Sequence, residues 1–204
     1  MPHTPVPTVP HPADALVLAR IAQPIRERAA AIRLMVFDVD GILTDGSLLY
    51  GEHGEAVKRF NVLDGQGLRL LAAGGVAIAW VTARSGAAVT RRAADLGVAD
   101  LIQGVHNKAE ALLGLMQRHG VQSAQVGFMG DDINDLPALQ MAGLAVTVPA
   151  APAYVAQVAH WVTTAAGGHG AVRECCDVIL ASQGRLGPLL STGLPVVPSG
   201  GSLQ

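Results

Sequence analysis

The stretch "VFDVDGILTD", Val36 to Asp45, decides the reading of this chain. Apolar residues run into a carboxylate, Asp38, and a second one, Asp40, follows two positions later. Gly41, Thr44 and Asp45 complete the group. An aspartate left dry and unpaired at the end of a buried strand is costly, so packing alone does not explain three of them. The approach "LMVFD" (34–38) carries no polar residue before Asp38, as a strand buried on both faces requires.

Working outward, three further apolar runs have the same character: "VAIAWVT" (76–82), "VGFMGD" (126–131) and "LAVTV" (144–148). Helical patterns alternate with them, namely "GQGLRLLAAGG", "SGAAVTRRAADLG", "NKAEALLGLMQRHG" and "INDLPALQMAG". Most of these close on Gly, as a helix C-terminus does. Buried strands alternating with helices predict an α/β fold, a doubly wound parallel sheet covered on both sides. "SLLYGEHGEAVKRF" (47–60) breaks the alternation and reads as an inserted β-hairpin turning between Gly51 and Gly54. It is too short to be a second domain.

The ends differ from this core, which spans 33–184. Residues 1–12 hold five prolines and read as an extended arm. The spacing of Leu16, Ile21, Ile25 and Ile32 predicts an N-terminal helix from Ala13 to Ala31, with Pro24 able to interrupt it. The arm and helix together make up 1–32. The segment 185–204, rich in Gly, Pro and Ser from Gly187 onward, reads as a flexible tail.

Composition narrows the function. At 204 residues the chain suits one domain, and with 3% aromatic residues its core must be built from Ala, Val, Leu and Ile. A formal net charge of −2 and the lack of any Lys/Arg run argue against a nucleic-acid partner. The adjacent Cys175 and Cys176 suit neither a disulfide staple nor a metal site and read as helix-packing residues. His53, His106, His119 and His169 show no metal-ligand spacing. The N-terminus lacks the order of a signal peptide, and no apolar run approaches the ~20 residues of a membrane span. A soluble, cytoplasmic protein without membrane contact is expected.

In an open parallel sheet, ligands bind outside the carboxyl ends of the strands. Sorted that way, the first strand presents Asp38 and Asp40, and the strand 76–82 presents Thr82 and then Arg84. "NK" (107–108) opens a helix with Lys108, and "GDDIND" supplies Asp131, Asp132, Asn134 and Asp135. Carboxylates, a hydroxyl and a lysine on one rim suit a divalent cation and a phosphate. Neither a GxxxxGKS phosphate loop nor a GxSxG elbow is present. Singly, a DxD pair occurs by chance, a helix-opening Lys is usually solvated, and a strand-end Thr is usually only a β-former. Their common order on one rim has no comparable structural explanation.

That order resembles the haloacid dehalogenase superfamily of aspartate-nucleophile phosphotransferases, over residues 33–184. "FDVDGILTDGSLLYGEHGEAVKRFNVLDGQGLRLL", "VTARSGAAVTRRAADLGV", "QGVHNKAEAL", "MGDDINDLPAL" and "AAGGHGAVRECCD" are further similar to the 3-deoxy-D-manno-octulosonate 8-phosphate phosphatases of lipopolysaccharide precursor synthesis. The resemblance implies that Asp38 is the nucleophile and that Asp40 is the general acid and then the base. It implies that Thr82 and Lys108 hold the phosphoryl oxygens, with Asp135 behind them. Asp38, the Asp40 carbonyl and Asp131 would bind Mg²⁺. Substrate contacts are implied at Asn61, Val62, Leu63, Asp64, Gly65, Arg69, Arg84, Arg92 and Asn134, besides Asp40 and Lys108. Gly167 to Arg173 resembles a C-terminal segment that closes over a site.

The implied substrate is a small sugar-acid phosphate, and guanidinium groups suit its carboxylate. The implied assembly is a homotetramer, with the hairpin in place of a cap domain and neighbouring subunits over each site. A carboxylate attacking a phosphate dianion needs Mg²⁺ and Lys to screen the charge. The two aspartates also need different protonation states.

Two departures stand out: Ala83 in "TAR", where the family usually has Gly, and Leu63 in "NVLDG", where Arg is common. A positive φ at Ala83 would cost about 1 kcal/mol. The alternatives are a phosphatase for nine-carbon keto-sugar acid phosphates and a catalytically silent oligomeric binding module. The intact aspartate pair argues against silence.

Overall fold

The structure is a computed structural model and describes residues 11–192. In chain order the described helices are α1 (Pro12–Leu18), α2 (Gln23–Ala30), α3 (Val62–Ala73), α4 (Ala87–Leu96), α5 (Lys108–His119), α6 (Leu136–Met141), α7 (Ala153–Ala156), α8 (Ala171–Ser182) and α9 (Leu186–Thr192). The strands are β1 (Leu34–Phe37), β2 (Leu49–Gly51), β3 (Gly54–Val57), β4 (Ala77–Val81), β5 (Asp100–Ile102), β6 (Val126–Met129), β7 (Leu144–Thr147) and β8 (Trp161–Val162).

β1 lies inside the sheet because all four of its residues are buried. Leu34 and Val36 enter one core cluster, with Leu112, Leu115, Phe128 and Leu139 of the α5–α6 side. Met35 and Phe37 enter the other, with Leu68, Leu71, Val172 and Ile179 of the α3–α8 side. The strand order is β5-β4-β1-β6-β7-β8, with every pairing parallel. Right-handed crossovers then place α3 and α4 on one face and α5 and α6 on the other. The direction of winding reverses between β1 and β6, so a crevice opens at the carboxyl ends of those two strands. The doubly wound parallel sheet expected from sequence is the fold observed. The hairpin of β2 and β3 also stands where it was expected, as a separate two-stranded unit after the β1 loop.

Several details depart from expectation. The N-terminal helix is two helices, and the break falls at 19–22 rather than at Pro24. Pro24 instead occupies the first turn of α2, where its missing N–H goes unneeded. The short strands β5 and β8 were not anticipated. The segment expected as tail begins with helix α9, whose Leu186 is buried. Its Gly187 N–H donates to the buried Asp14 carboxylate at 3.0 Å, tying it to α1. Residues 1–10 and 193–204, which hold the rest of the arm and tail, lie outside the described residues. Cys175 and Cys176 are fully buried in α8, and burial pushes both thiols well above their usual range. No helix among the described residues is long and apolar enough to cross a membrane.

Candidate active site

Asp38 stands one residue past β1, and its N–H donates to the Met129 carbonyl at 2.9 Å, which extends the β1–β6 ladder to the rim. The next turn buries Val39, Ile42 and Leu43. Thr44 braces it: its Oγ1 accepts from the N–H groups of Gly41 (3.4 Å) and Gly46 (3.3 Å) and donates to the Val39 carbonyl (3.4 Å). Gly41 has φ +87°, and a Cβ there would lie 2.1 Å from Asp131 Oδ2. Only glycine lets the turn rest against that carboxylate.

Lys108 is the first residue of α5, which Asn107 caps by accepting the Glu110 N–H at 3.2 Å. A cation at a helix N-terminus opposes the helix dipole, and this one is also buried. Two carboxylates compensate it: Asp38 at 2.8 Å and Asp135 at 2.5 Å. Burial works against the Lys108 ammonium, yet Asp38 and Asp135 outweigh it and raise its pKa. Asp135 is fully enclosed, and its other oxygen accepts from the N–H groups of Asp131 (2.9 Å) and Asp132 (3.1 Å). It therefore fixes both the lysine and the "GDD" turn. Thr82 stands one residue past β4 with its Oγ1 accepting the Arg84 N–H at 3.2 Å, which leaves its hydroxyl proton free to donate.

These groups line one cleft of about 370 Å³, which holds Asp38, Asp40, Thr82, Arg84, Lys108, Asp131 and Asn134. A larger cavity, about 480 Å³, lies among Ile32, Arg33, Gly75, Gln183 and Arg185, with no carboxylate or nucleophile in its lining. Chemistry selects the smaller one.

Carboxylate oxygens of Asp38, Asp131 and Asp135 lie within 4.8 Å of one another. Burial, and then the Asp135 charge, push Asp38 up to about 7 against the pull of Lys108. The same two causes push Asp131 up to about 7. Asp131 Oδ1 is buried and has no hydrogen-bond partner. An orphaned carboxylate oxygen facing two further carboxylates is a ligand set for a hard divalent cation. Both oxygens of Asp135 are already engaged and an oxygen of Asp38 pairs with Lys108, so the oxygen of this set without a partner belongs to Asp131.

The hairpin segment does not line this cleft but pairs with two residues that do, Asp40 and Arg84. Lys58, its side chain 6% exposed, pairs with Asp40 and with Glu55 (2.8 Å), and Glu55 pairs with Arg84 (3.1 Å). Sequence reasoning missed Lys58, a lone base in a hairpin arm with no motif around it. It also gave Thr44 no role.

The remaining expected contacts gather elsewhere, on α3 and α4. Asn61 caps α3, accepting from Leu63 (2.7 Å) and Asp64 (3.4 Å). Arg92 donates to the Asn61 carbonyl (3.4 Å) and lies 6.0 Å from the Phe60 ring centre. Arg69 donates to the Asp95 carbonyl (3.0 Å). Val62 and Leu63 are 80% and 57% exposed, and Gly65 packs beside Arg92. Asp64, by contrast, is 1% exposed and accepts from the backbone of Gly170 (3.2 Å) and Arg173 (2.9 Å). None of these seven residues lines the cleft. Ala83 does line it, and no non-glycine residue among those described has a positive φ, so Ala83 carries no left-handed strain.

A buried aspartate at a strand end, paired with lysine beside a partnerless buried carboxylate oxygen, is a donor set suited to a divalent cation and a phosphate ester. A family profile of haloacid dehalogenase-like hydrolases matches residues 66–174. The 3-deoxy-D-manno-octulosonate 8-phosphate phosphatase KdsC of Escherichia coli K12 is 41% identical over 159 residues, 78% of this chain and 85% of that protein. A crystal structure of the 3-deoxy-D-manno-octulosonate 8-phosphate phosphatase from Moraxella catarrhalis, in complex with magnesium ion, phosphate ion and KDO, superposes with a TM-score of 0.80 at 40% identity. The match covers 82% of this chain and 97% of that one. The cobalt-bound deoxy-D-mannose-octulosonate 8-phosphate phosphatase from Haemophilus influenzae gives a TM-score of 0.76 at 38% identity, covering 80% of this chain and 94% of that one. The chain belongs to the haloacid dehalogenase-like hydrolases and, among them, to the family of 3-deoxy-D-manno-octulosonate 8-phosphate phosphatases.

Proposed function

We propose that this phosphatase hydrolyses 3-deoxy-D-manno-octulosonate 8-phosphate to the free sugar acid and inorganic phosphate, as a cytoplasmic step of lipopolysaccharide precursor synthesis. The observation that carries the reading is the Lys108-paired Asp38 beside the orphaned oxygen of Asp131. Asp38, Asp131 and the Asp40 carbonyl would hold Mg²⁺, which there offsets the charge of the phosphoryl oxygens.

The chain's own groups act as follows. An Asp38 oxygen attacks phosphorus in line with the sugar oxygen, and the P–O bond to the sugar breaks. Asp40 gives its proton to the departing oxygen. Water then attacks the phosphorus of the aspartyl phosphate, Asp40 takes a proton from it, and Asp38 leaves as the free carboxylate. Lys108 and Thr82 donate to the phosphoryl oxygens throughout. The α3–α4 residues Asn61, Val62, Leu63, Gly65, Arg69 and Arg92 are assigned to the sugar acid of a neighbouring cleft in a homotetramer. Their distance from their own cleft and the exposure of Val62 and Leu63 support that assignment.

A turnover screen tests this. Phosphate release with Mg²⁺ should be fastest on the eight-carbon acid phosphate and should stop with EDTA. Faster turnover of a nine-carbon keto-sugar acid phosphate would replace the substrate named here, and silence on every ester would contradict the enzyme.

A pH dependence follows from the carboxylates. In the metal-free fold Asp38 and Asp131 titrate at about 7 against 3.8 for an ordinary aspartate, so the folded chain binds their protons more tightly than the unfolded chain. Their burden on stability is absent below the unfolded value, grows as pH rises from about 4, and is complete above about 7. A divalent cation takes the place of those protons. The melting temperature in EDTA should therefore fall between about pH 5.5 and pH 8, and Mg²⁺ should flatten or reverse that slope. Parallel slopes with and without Mg²⁺ would contradict the assignment of these carboxylates to the cation.

A further inference from the structure

The segment 167–173 takes no part in the chemistry above, yet it is packed directly on the catalytic turn. A Cβ at Gly167 would lie 1.7 Å from the Gly41 carbonyl oxygen, and one at Gly41 would lie 2.1 Å from Asp131 Oδ2. Gly167, Gly41 and Asp131 are thus stacked with no side chain between the two backbones. The Gly168 N–H donates to the Ile42 carbonyl at 2.9 Å, which holds the same segment to the same turn.

Helix α3 anchors the segment from the other side. Asn61 Nδ2 donates to the Gly168 carbonyl at 3.2 Å. The two oxygens of Asp64 accept from Gly170 N–H at 3.2 Å and Arg173 N–H at 2.9 Å. The first N–H groups of a helix have no acceptor within it, and the Gly170 cap of α8 has no side chain to supply one. Asp64 supplies it from a different helix, with a buried charge-assisted pair of bonds. A carboxylate this enclosed and this committed has no face left for a sugar.

We propose that Asp64 is a positioning residue: by anchoring 167–173 from α3 it seats the Gly41 turn against Asp131 and so sets the geometry of the cation-binding carboxylates. In this role it makes no contact with substrate. The inference rests on the phosphatase reading, and its test separates the two.

Asp64→Asn keeps one acceptor and places an amide donor against the second backbone N–H. Gly167→Ala disturbs the stack from its other end and leaves Asp64 intact. Four quantities are measured for each: the melting temperature, Mn²⁺ affinity by electron paramagnetic resonance, and kinetics on the sugar-acid phosphate and on p-nitrophenyl phosphate. The small ester has no sugar contacts to lose. The expected result is Mn²⁺ binding weakened about tenfold in both variants, with kcat reduced by a similar factor on both esters. KM for the sugar-acid ester should stay within about twofold of wild type, since no substrate contact is removed.

A loss confined to KM of the sugar-acid ester, with Mn²⁺ binding unchanged, would overturn the proposal and restore Asp64 as a substrate contact. A lowered melting temperature with unaltered Mn²⁺ affinity and kcat would overturn it in favour of a purely structural cap. Weakened Mn²⁺ binding in a chain whose wild type releases no phosphate would uphold the positioning role and sink the phosphatase reading. If Asp64→Asn fails to fold, Gly167→Ala carries the same four measurements.

Discussion

Asp38→Asn is expected to lower phosphate release on every ester by about a thousandfold or more, because it removes the attacking oxygen's charge and proton affinity. The same change should leave the fold intact. Asp38 sits in a cluster where three carboxylates face one ammonium, and burial together with Asp135 already raises its pKa to about 7. A neutral amide relieves that repulsion and still accepts from Lys108. The melting temperature of the variant in EDTA at neutral pH should therefore equal or exceed that of wild type. Rate assays and thermal melts on one preparation check both halves. A variant that keeps more than about a tenth of wild-type turnover would deny Asp38 the role of nucleophile.

Lys108→Met is the second large effect, and it should strike stability and activity together. Methionine fills similar space but removes the only cation among the described residues that pairs with Asp38 or Asp135. Breaking a buried pair from one side typically costs about 3–5 kcal/mol, because the partner's charge is left without compensation. Here two partners are stranded, and Asp135 is fully enclosed. Protonation offers them an escape, so the deficit should shrink as pH falls and widen as it rises. Denaturant melts at two pH values measure this. A deficit below about 1 kcal/mol at neutral pH would show that the pair is solvated as a surface pair is.

The parts of this arrangement that sequence made legible share one property: they are local. β1, β4 and β6 are continuous apolar runs, and Asp38 follows β1, Thr82 follows β4 and Asp131 follows β6 after a single glycine. Asp38, Thr82 and Asp131 could be placed on one rim because a parallel sheet puts all carboxyl ends on one side. β5 and β8 escaped because three and two residues carry too little periodicity to separate a strand from a loop. Helix α9 escaped for another reason: its Gly and Pro content suggests a tail, and its packing against α1, α3 and α8, with the bond to Asp14, is not visible in the local sequence.

Long-range pairings were the least visible. Nothing near Lys58 in the chain announces that it meets Asp40, eighteen positions away. Asp64 shows the converse. Motif similarity set it among the substrate contacts, while the fold encloses it against residues more than a hundred positions away. A motif preserves which residues accompany one another, and only the packing distinguishes a group that touches ligand from one that holds another group in place.

The most direct measurement is chemical trapping of the phosphorylated group. Protein turning over the sugar-acid phosphate with Mg²⁺ is quenched in acid and reduced with borohydride, which converts an aspartyl phosphate to homoserine. The tryptic peptide from Leu34 to Lys58 is then fragmented in the mass spectrometer. Homoserine at position 38 is the predicted result; homoserine at another aspartate, or none in a sample that has released sugar acid, would contradict the account.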